Sequence, residues 1–230
     1  DWELLVKVLQ QKAENASSDG DRAELLGRLG GIKRDMLLDD DGAIEIYERA
    51  LDLSPESTRS LDHLIDLYEE RDADRFVELL EQRIVLADAG SDTRHQLVIK
   101  AADVYEKRLK KPEEAIRVLQ IALDERPTEL DVLLRLERLF QAQELYDELL
   151  ENLKTQASVA EEADKRHQLR NKIGDLYLRH FDNAHDALDQ YRLVIEENDQ
   201  DAHAVAAARK IAEKYEDLRL DVADLLEPVL

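Results

Sequence analysis

The sequence predicts an all-α protein, an α-solenoid of antiparallel helical hairpins with about thirteen helices, and three observations carry that reading. The chain repeats itself: Arg22, Arg94 and Arg166 stand 72 residues apart, as do Leu25, Leu97 and Leu169, then Ala43, Ala115 and Ala187, then Ala50, Ala122 and Val194. A fixed period of tens of residues marks a solenoid, in which each unit buries its apolar face only against its neighbours. The composition, 43% hydrophobic and 37% charged with 7 glycines and 4 prolines, is rich in helix formers. Runs of Val, Ile and Thr bounded by turn residues, the mark of strands, are absent from the sequence.

The elements follow in order. Trp2, Leu5, Val6, Leu9 and Ala16 match Tyr146, Leu149, Leu150, Leu153 and Ala160 at 144, twice the period, so segment 2–17 reads as an unpaired helix. It corresponds to the second helix of a hairpin. Six hairpins are expected after it, at roughly 22–55, 58–88, 93–127, 130–161, 165–199 and 202–230. In the third, Leu97, Val98, Ala101, Ala102, Val104 and Tyr105 form a helical stripe between Arg94 and Leu109. A break at Lys110-Lys111-Pro112 follows, with proline near the first turn of the next helix. Ala115, Ile116, Leu119, Ala122 and Leu123 line that helix, which stops before Pro127, the counterpart of Pro55 and of Asp199.

The intervening hairpins also recur. Leu61, Leu64, Leu67 and Tyr68 match Leu133, Leu136, Leu139 and Phe140 at 72. Val77, Leu80 and Ala87 answer Leu150, Leu153 and Ala160 at 73, a one-residue shift of the kind turns tolerate. At the far end Val222, Leu225, Leu226 and Val229 form an apolar stripe with no polar outer face, which the last repeat of a complete array needs. The expectation is a single array over 1–230, taken from within a longer protein.

Certain spacings resemble a known family. Ala43-x3-Tyr47-x2-Ala50-x4-Pro55, Ala115-x3-Leu119-x2-Ala122-x4-Pro127 and Ala187-x3-Tyr191-x2-Val194 resemble the second helix of a tetratricopeptide repeat. Ile173-Gly174-x2-Tyr177 and Leu29-Gly30 resemble the first helix, with Lys33 in place of the family's tyrosine. Small residues let two helices approach closely while a tyrosine or leucine fills the space beside them. Each well-matched hairpin has one extra residue between its helices, and the others keep bulky Val77, Ile84 and Leu150 where alanine belongs. This alternation is similar to repeat arrays in large bacterial proteins. The resemblance implies a right-handed superhelix whose concave groove, lined by first helices, receives a peptide or helix of another protein.

On that implication the groove positions are Gln96, Ile99, Asp103 and Glu106 in one hairpin and Gln168, Asn171, Asp175 and Leu178 in another. Arg59, Asp62, Asp66 and Glu69, then Asp131, Leu134, Arg138 and Gln141, come from the hairpins beside them. Acidic residues outnumber basic ones along this strip, which suits a basic or amphipathic partner segment. The family's lysine-and-asparagine clamp for a C-terminal carboxylate falls on Gly27, Ile99 and Asn171, then Gly31, Asp103 and Asp175. Only Asn171 fits, and the aspartates would repel a carboxylate. Gly27, Gly30 and Gly31 cost roughly 1 kcal/mol each in a helix relative to alanine. Close packing explains Gly30, as it does its repeat partner Gly174. For Gly27 and Gly31 two accounts stand: a partner's backbone approaches closely there, or the helix is locally weak.

A net charge of −22 repels nucleic acid, and the lone basic cluster Lys107-Arg108-Leu109-Lys110-Lys111 reads as a helix C-terminus favoured by its dipole. With no cysteine there are neither disulfides nor thiol catalysis. No stretch approaches the roughly 18 apolar residues of a membrane span. A cytoplasmic location is expected, or a periplasmic one had a signal peptide been removed.

Asp39-Asp40-Asp41-Gly42 lacks the alternating ligands of a calcium loop and reads as an acidic helix start. His95 and His167 share a repeat position on a polar stretch and read as surface residues. His180 and His185 flank one turn, and His-x3-His pairs are missing. No nucleophile elbow or phosphate loop is present, so neither enzyme nor cofactor is expected. The reading is a scaffold for another protein or peptide, with an acidic concave groove. The alternative is a structural spacer or self-assembling arm, a homo-oligomer stacking through exposed ends at Trp2, Leu5, Leu225 and Val229.

Overall fold

The computed structural model describes residues 1–227, and among the described residues thirteen α-helices and no β-strand occur. Val229 lies outside the described residues. The chain divides into two compact units, Asp1–Glu125 and Arg126–Leu230. The first holds α1 (Trp2–Glu14), α2 (Asp19–Leu37), α3 (Asp40–Leu53), α4 (Thr58–Tyr68), α5 (Ala73–Leu86), α6 (Asp92–Asp103) and α7 (Pro112–Glu125). The second holds α8 (Leu130–Ala142), α9 (Tyr146–Val159), α10 (Ala163–His180), α11 (Ala184–Glu197), α12 (Ala202–Lys214) and α13 (Arg219–Leu226). Within each unit every helix packs on the next in sequence, so each core is a chain of neighbour-to-neighbour seams.

Three recurring residues explain why the period is kept. The first is arginine. Arg22 donates from Nε to the Ala13 carbonyl at 3.2 Å, closing the end of α1. Arg94 donates to the carbonyls of Ile84 and Ala87, both at 3.2 Å, at the end of α5. Arg166 donates to the Ala160 carbonyl beyond α9 at 3.3 Å. The last carbonyls of a helix have no partner within it, and a guanidinium both satisfies them and complements the negative end of the dipole. Each arginine thus ties the start of one hairpin to the end of the helix before it.

The second is the turn between helices. Leu38, Lys110 and Asp182, again 72 apart, all adopt left-handed backbone with φ of 53°, 56° and 47°. Behind each, an amide donates six residues back: Asp39 to Lys33 at 2.9 Å, Lys111 to Tyr105 at 2.9 Å and Asn183 to Tyr177 at 3.1 Å. This is the wide, left-handed close of a helix, and it sits in the turn that the sequence makes one residue longer. In the first copy Lys33, standing where the family has tyrosine, donates to Asp39 at 2.8 Å and so holds the turn itself. The α6 helix widens further and runs as a π-helical segment from Val104 to Leu109. Repeat matching gives no sign of that.

The third is a small residue facing a ring. A Cβ at Gly30 would lie 2.8 Å from the ring of Tyr47, and one at Gly174 would lie 2.6 Å from that of Tyr191. Both tyrosines are fully buried. In the intervening copy the pair is Ala102 and Leu119, both fully buried. The larger knob comes with the deeper hole. These seams join α1, α2 and α3 through Leu9, Ala13, Leu26, Leu29, Ile46 and Ala50. In the second unit Leu188, Tyr191, Ala204, Ala208, Ile211 and Val222 join α11, α12 and α13.

The end of the second unit differs from expectation. Val222 and Leu226 are buried against α12, while Asp221, Asp224 and Glu227 are exposed. Helix α13 therefore does present acidic residues outward, with Val222 and Leu226 used against α12 while Leu220 stays exposed. On α1 the reverse holds: Trp2, Leu4, Leu5 and Val8 remain exposed.

Candidate functional site

The first helix of each hairpin carries the residues that the sequence singles out. In the first unit α4 presents Asp62 and Asp66, both exposed. Arg83 of α5 donates to Asp62 at 2.9 Å, and Arg34 of α2 lies 3.7 Å from Asp66. Lys100 of α6 stands 2.9 Å from Glu69, the C-cap of α4, so ion pairs link α2 to α4 and the end of α4 to α6. On α6, Gln96 is exposed, while Ile99, Asp103 and Glu106 are half-buried. Lys107 donates to Asp103 at 3.0 Å. The acidic strip thus keeps exposed carboxylates, several of them paired with arginine or lysine, and such exposed pairs bind weakly enough to be exchanged.

In the second unit α8 carries Arg138, which is exposed and engaged with other groups. Helix α10 carries Gln168, exposed, with Asn171 and Asp175 half-buried. Asn171 donates to Asp201, the N-cap of α12, at 3.2 Å. Asp175 accepts from the hydroxyl of Tyr191 at 2.8 Å and from Arg179 at 3.3 Å, and His203 lies 3.0 Å away. Burial and that carboxylate push the Tyr191 hydroxyl pKa up. Asn171 and Asp175 are therefore built into the packing of the hairpin as well as lying along its first helix.

Several sequence readings change or sharpen. His167 is buried rather than on the surface. It lies 2.9 Å from Glu197, where Arg166 and Arg170 also converge at 2.8 and 2.7 Å, because the start of α10 packs against the end of α11. Hydrogen bonds from Arg166, Arg170 and His167 hold the Glu197 carboxyl at about 2, against an ordinary 4.5. Asp39 caps α3, accepting the Gly42 amide at 2.9 Å, and Arg71 pairs with Asp40 at 3.0 Å. No group of three or more potential metal ligands occurs among the described residues. His180 stacks on Tyr146 with ring centres 3.6 Å apart, and His185 lies 3.2 Å from Asp217.

Sequence reasoning missed a polar seam in the second unit. Buried Gln156 donates to Glu137 at 2.7 Å and to buried Asn152 at 2.8 Å, and Lys172 donates to Glu137 at 2.6 Å. The signal was available: Asn152 aligns with Leu79, a fully buried position of the matching hairpin.

Hairpins whose first helix offers glycine or alanine to a tyrosine or leucine of the second make an all-α solenoid fold of the tetratricopeptide-like kind. No family model matches the sequence, and no curated protein matches it. Among solved structures, YrrB, described as a TPR protein with an unusual peptide-binding site, is 16% identical with a TM-score of 0.42, over 89% of this chain and 99% of its own. A tetratricopeptide repeat protein of Parabacteroides merdae is 13% identical with a TM-score of 0.44, over 100% of this chain and 92% of its own. MamA is 20% identical with a TM-score of 0.40, over 84% of this chain and 95% of its own.

Proposed function

We propose that the chain is a non-catalytic scaffold whose first-helix faces take up a basic or amphipathic segment of a partner protein. The observation that carries this is the solvent access of Asp62 and Asp66, with Asp103 half-exposed beside them in the same unit, in a chain of net charge −22. Preformed helices lose little freedom on binding, so shape and field supply the affinity. Anisotropy of a labelled peptide of alternating lysine and alanine measures it. Asp66→Lys combined with Asp103→Lys reverses charge on the first unit without touching the buried seams. Binding should weaken at least tenfold and should fade as salt rises. Equal affinity for the variant and the wild type would remove the acidic face from the mechanism.

A second reading, a self-assembling arm, rests on the exposed Trp2, Leu4, Leu5 and Val8 of α1. Contiguous exposed apolar surface favours association. Light scattering over a concentration series reads it: multimers abolished by Leu5→Lys would favour the arm, and a monomer throughout would dismiss it.

A further inference from the structure

The repeat supplies its own reference for what belongs beside a buried tyrosine. In the α10–α11 hairpin, the Tyr191 hydroxyl is spent on Asp175. Asn171, one turn earlier on α10, reaches Asp201. The α2–α3 hairpin, 144 residues earlier, keeps the tyrosine as Tyr47 but has Gly31 and Gly27 where Asp175 and Asn171 stand. Tyr47 is fully buried, and its hydroxyl has no hydrogen-bond partner. A buried donor left unpaired costs about 1–3 kcal/mol. That hydroxyl points at the bare stretch of helix: a Cβ on Gly31 would lie 3.6 Å from it, in ordinary contact. Gly27, one turn earlier, is buried, with the Ser60 hydroxyl 3.9 Å from where its Cβ would stand.

The surrounding charge has changed in the same direction. Arg59 occupies the repeat position of His203. Arg34 and Arg59 both favour a negative charge at the Tyr47 oxygen, while Asp35 opposes it. Arg34 is shared between Asp35 at 2.9 Å and Asp66 at 3.7 Å. His63 stacks on the Tyr47 ring with centroids 4.8 Å apart. Burial and the two arginines lower its pKa, which keeps the ring neutral. The first hairpin therefore retains the donor and the cations of such a site and has lost the carboxylate.

Resting on the scaffold reading above, we infer that the notch at Gly31 of α2 receives an acidic side chain of the partner segment. Its carboxylate would accept from the Tyr47 hydroxyl between Arg34 and Arg59, with the partner backbone against half-buried Gly31. The bound segment is then basic along most of its length with one glutamate or aspartate in register. Carboxylate acceptance at a shielded hydroxyl is a charge-assisted hydrogen bond, stronger than a neutral one.

The test uses the full chain and two labelled peptides of alternating lysine and alanine, one with a single central glutamate and one with glutamine there. Wild type should favour the glutamate peptide by roughly tenfold. Gly31→Asp supplies the missing carboxylate from within; it should abolish that preference and raise the melting temperature. Tyr47→Phe should abolish the preference without lowering the melting temperature, so lost binding there is not lost folding. Equal affinity of wild type for both peptides, or a preference that survives both variants, overturns the inference. In the first case the acidic-face reading still stands. Should Asp66→Lys with Asp103→Lys leave both affinities unchanged while Gly31→Asp removes the preference, the notch holds and the acidic-face reading falls. Failure of both peptides to bind wild type overturns the two together.

Discussion

At the scale of the residue, the strongest constraint is the fit of a ring into a helix that lacks a side chain opposite it. A methyl group added at Gly174 meets the Tyr191 ring at 2.6 Å, far inside contact distance, and a fully buried ring has nowhere to retreat. Gly174→Ala should destabilise the second unit by about 1–3 kcal/mol, the usual range for overpacking. Thermal unfolding would read that as a melting temperature lower by several degrees. The chain already contains the compensated version, Ala102 facing Leu119. Adding Tyr191→Leu to Gly174→Ala should therefore recover stability relative to the two single changes. An additive double variant would show that the two positions do not sense one another.

At the scale of the element, helix ends rather than helix middles set the period. Arg94 satisfies two carbonyls at the end of α5 and lies 2.8 Å from Glu125 at the end of α7. Arg94→Ala should cost about 1.5–3 kcal/mol, the range for hydrogen bonds from a charged donor. Lys107→Ala, which removes only an exposed pair with Asp103, should cost under about 1 kcal/mol. Urea titration separates these, and equal costs would demote the arginine to a surface charge. Its repeat partner Arg166 belongs to the cluster that holds Glu197 near 2. A carboxyl depressed in the folded state stabilises above its unfolded value and loses that contribution as pH falls towards the folded one. Glu197→Gln should thus be less stable than wild type at pH 6, with the gap closing between about pH 4.5 and pH 2. These ends also mark how far the sequence could be read. Strict recurrence of Arg22, Arg94 and Arg166 announces a shared task, and the apolar stripes announce the all-helical hairpins. What the arginines hold is not legible, because their acceptors are carbonyls, identical in every residue. His167 misleads for a related reason: its neighbours in sequence are polar, and Glu197, 30 residues on, is what takes it inside. The Gly31 notch could be seen as bare helix, whereas the unpaired hydroxyl beneath it required coordinates.

At the scale of the whole molecule, stability and binding draw on the same charges with opposite sign. A net charge of −22 on 230 residues makes the folded chain repel itself. Paired surface groups such as Arg83 with Asp62 and Arg71 with Asp40 return only about 0–1 kcal/mol each. Self-repulsion acts over the distances that salt screens most effectively, with a Debye length of about 30 Å at 0.01 M and about 8 Å at 0.15 M. Close pairs, and the arginines tied to carbonyls, are screened much less. Raising sodium chloride from low millimolar to about 0.3 M should therefore raise the melting temperature, while affinity for the lysine-rich peptide falls over the same range. The two responses are measurable on one preparation by scanning fluorimetry and anisotropy. A melting temperature that drops with salt would mean that surface pairing outweighs repulsion. The acidic faces would then be held mainly by their own arginines and lysines, with little field left over to draw a partner.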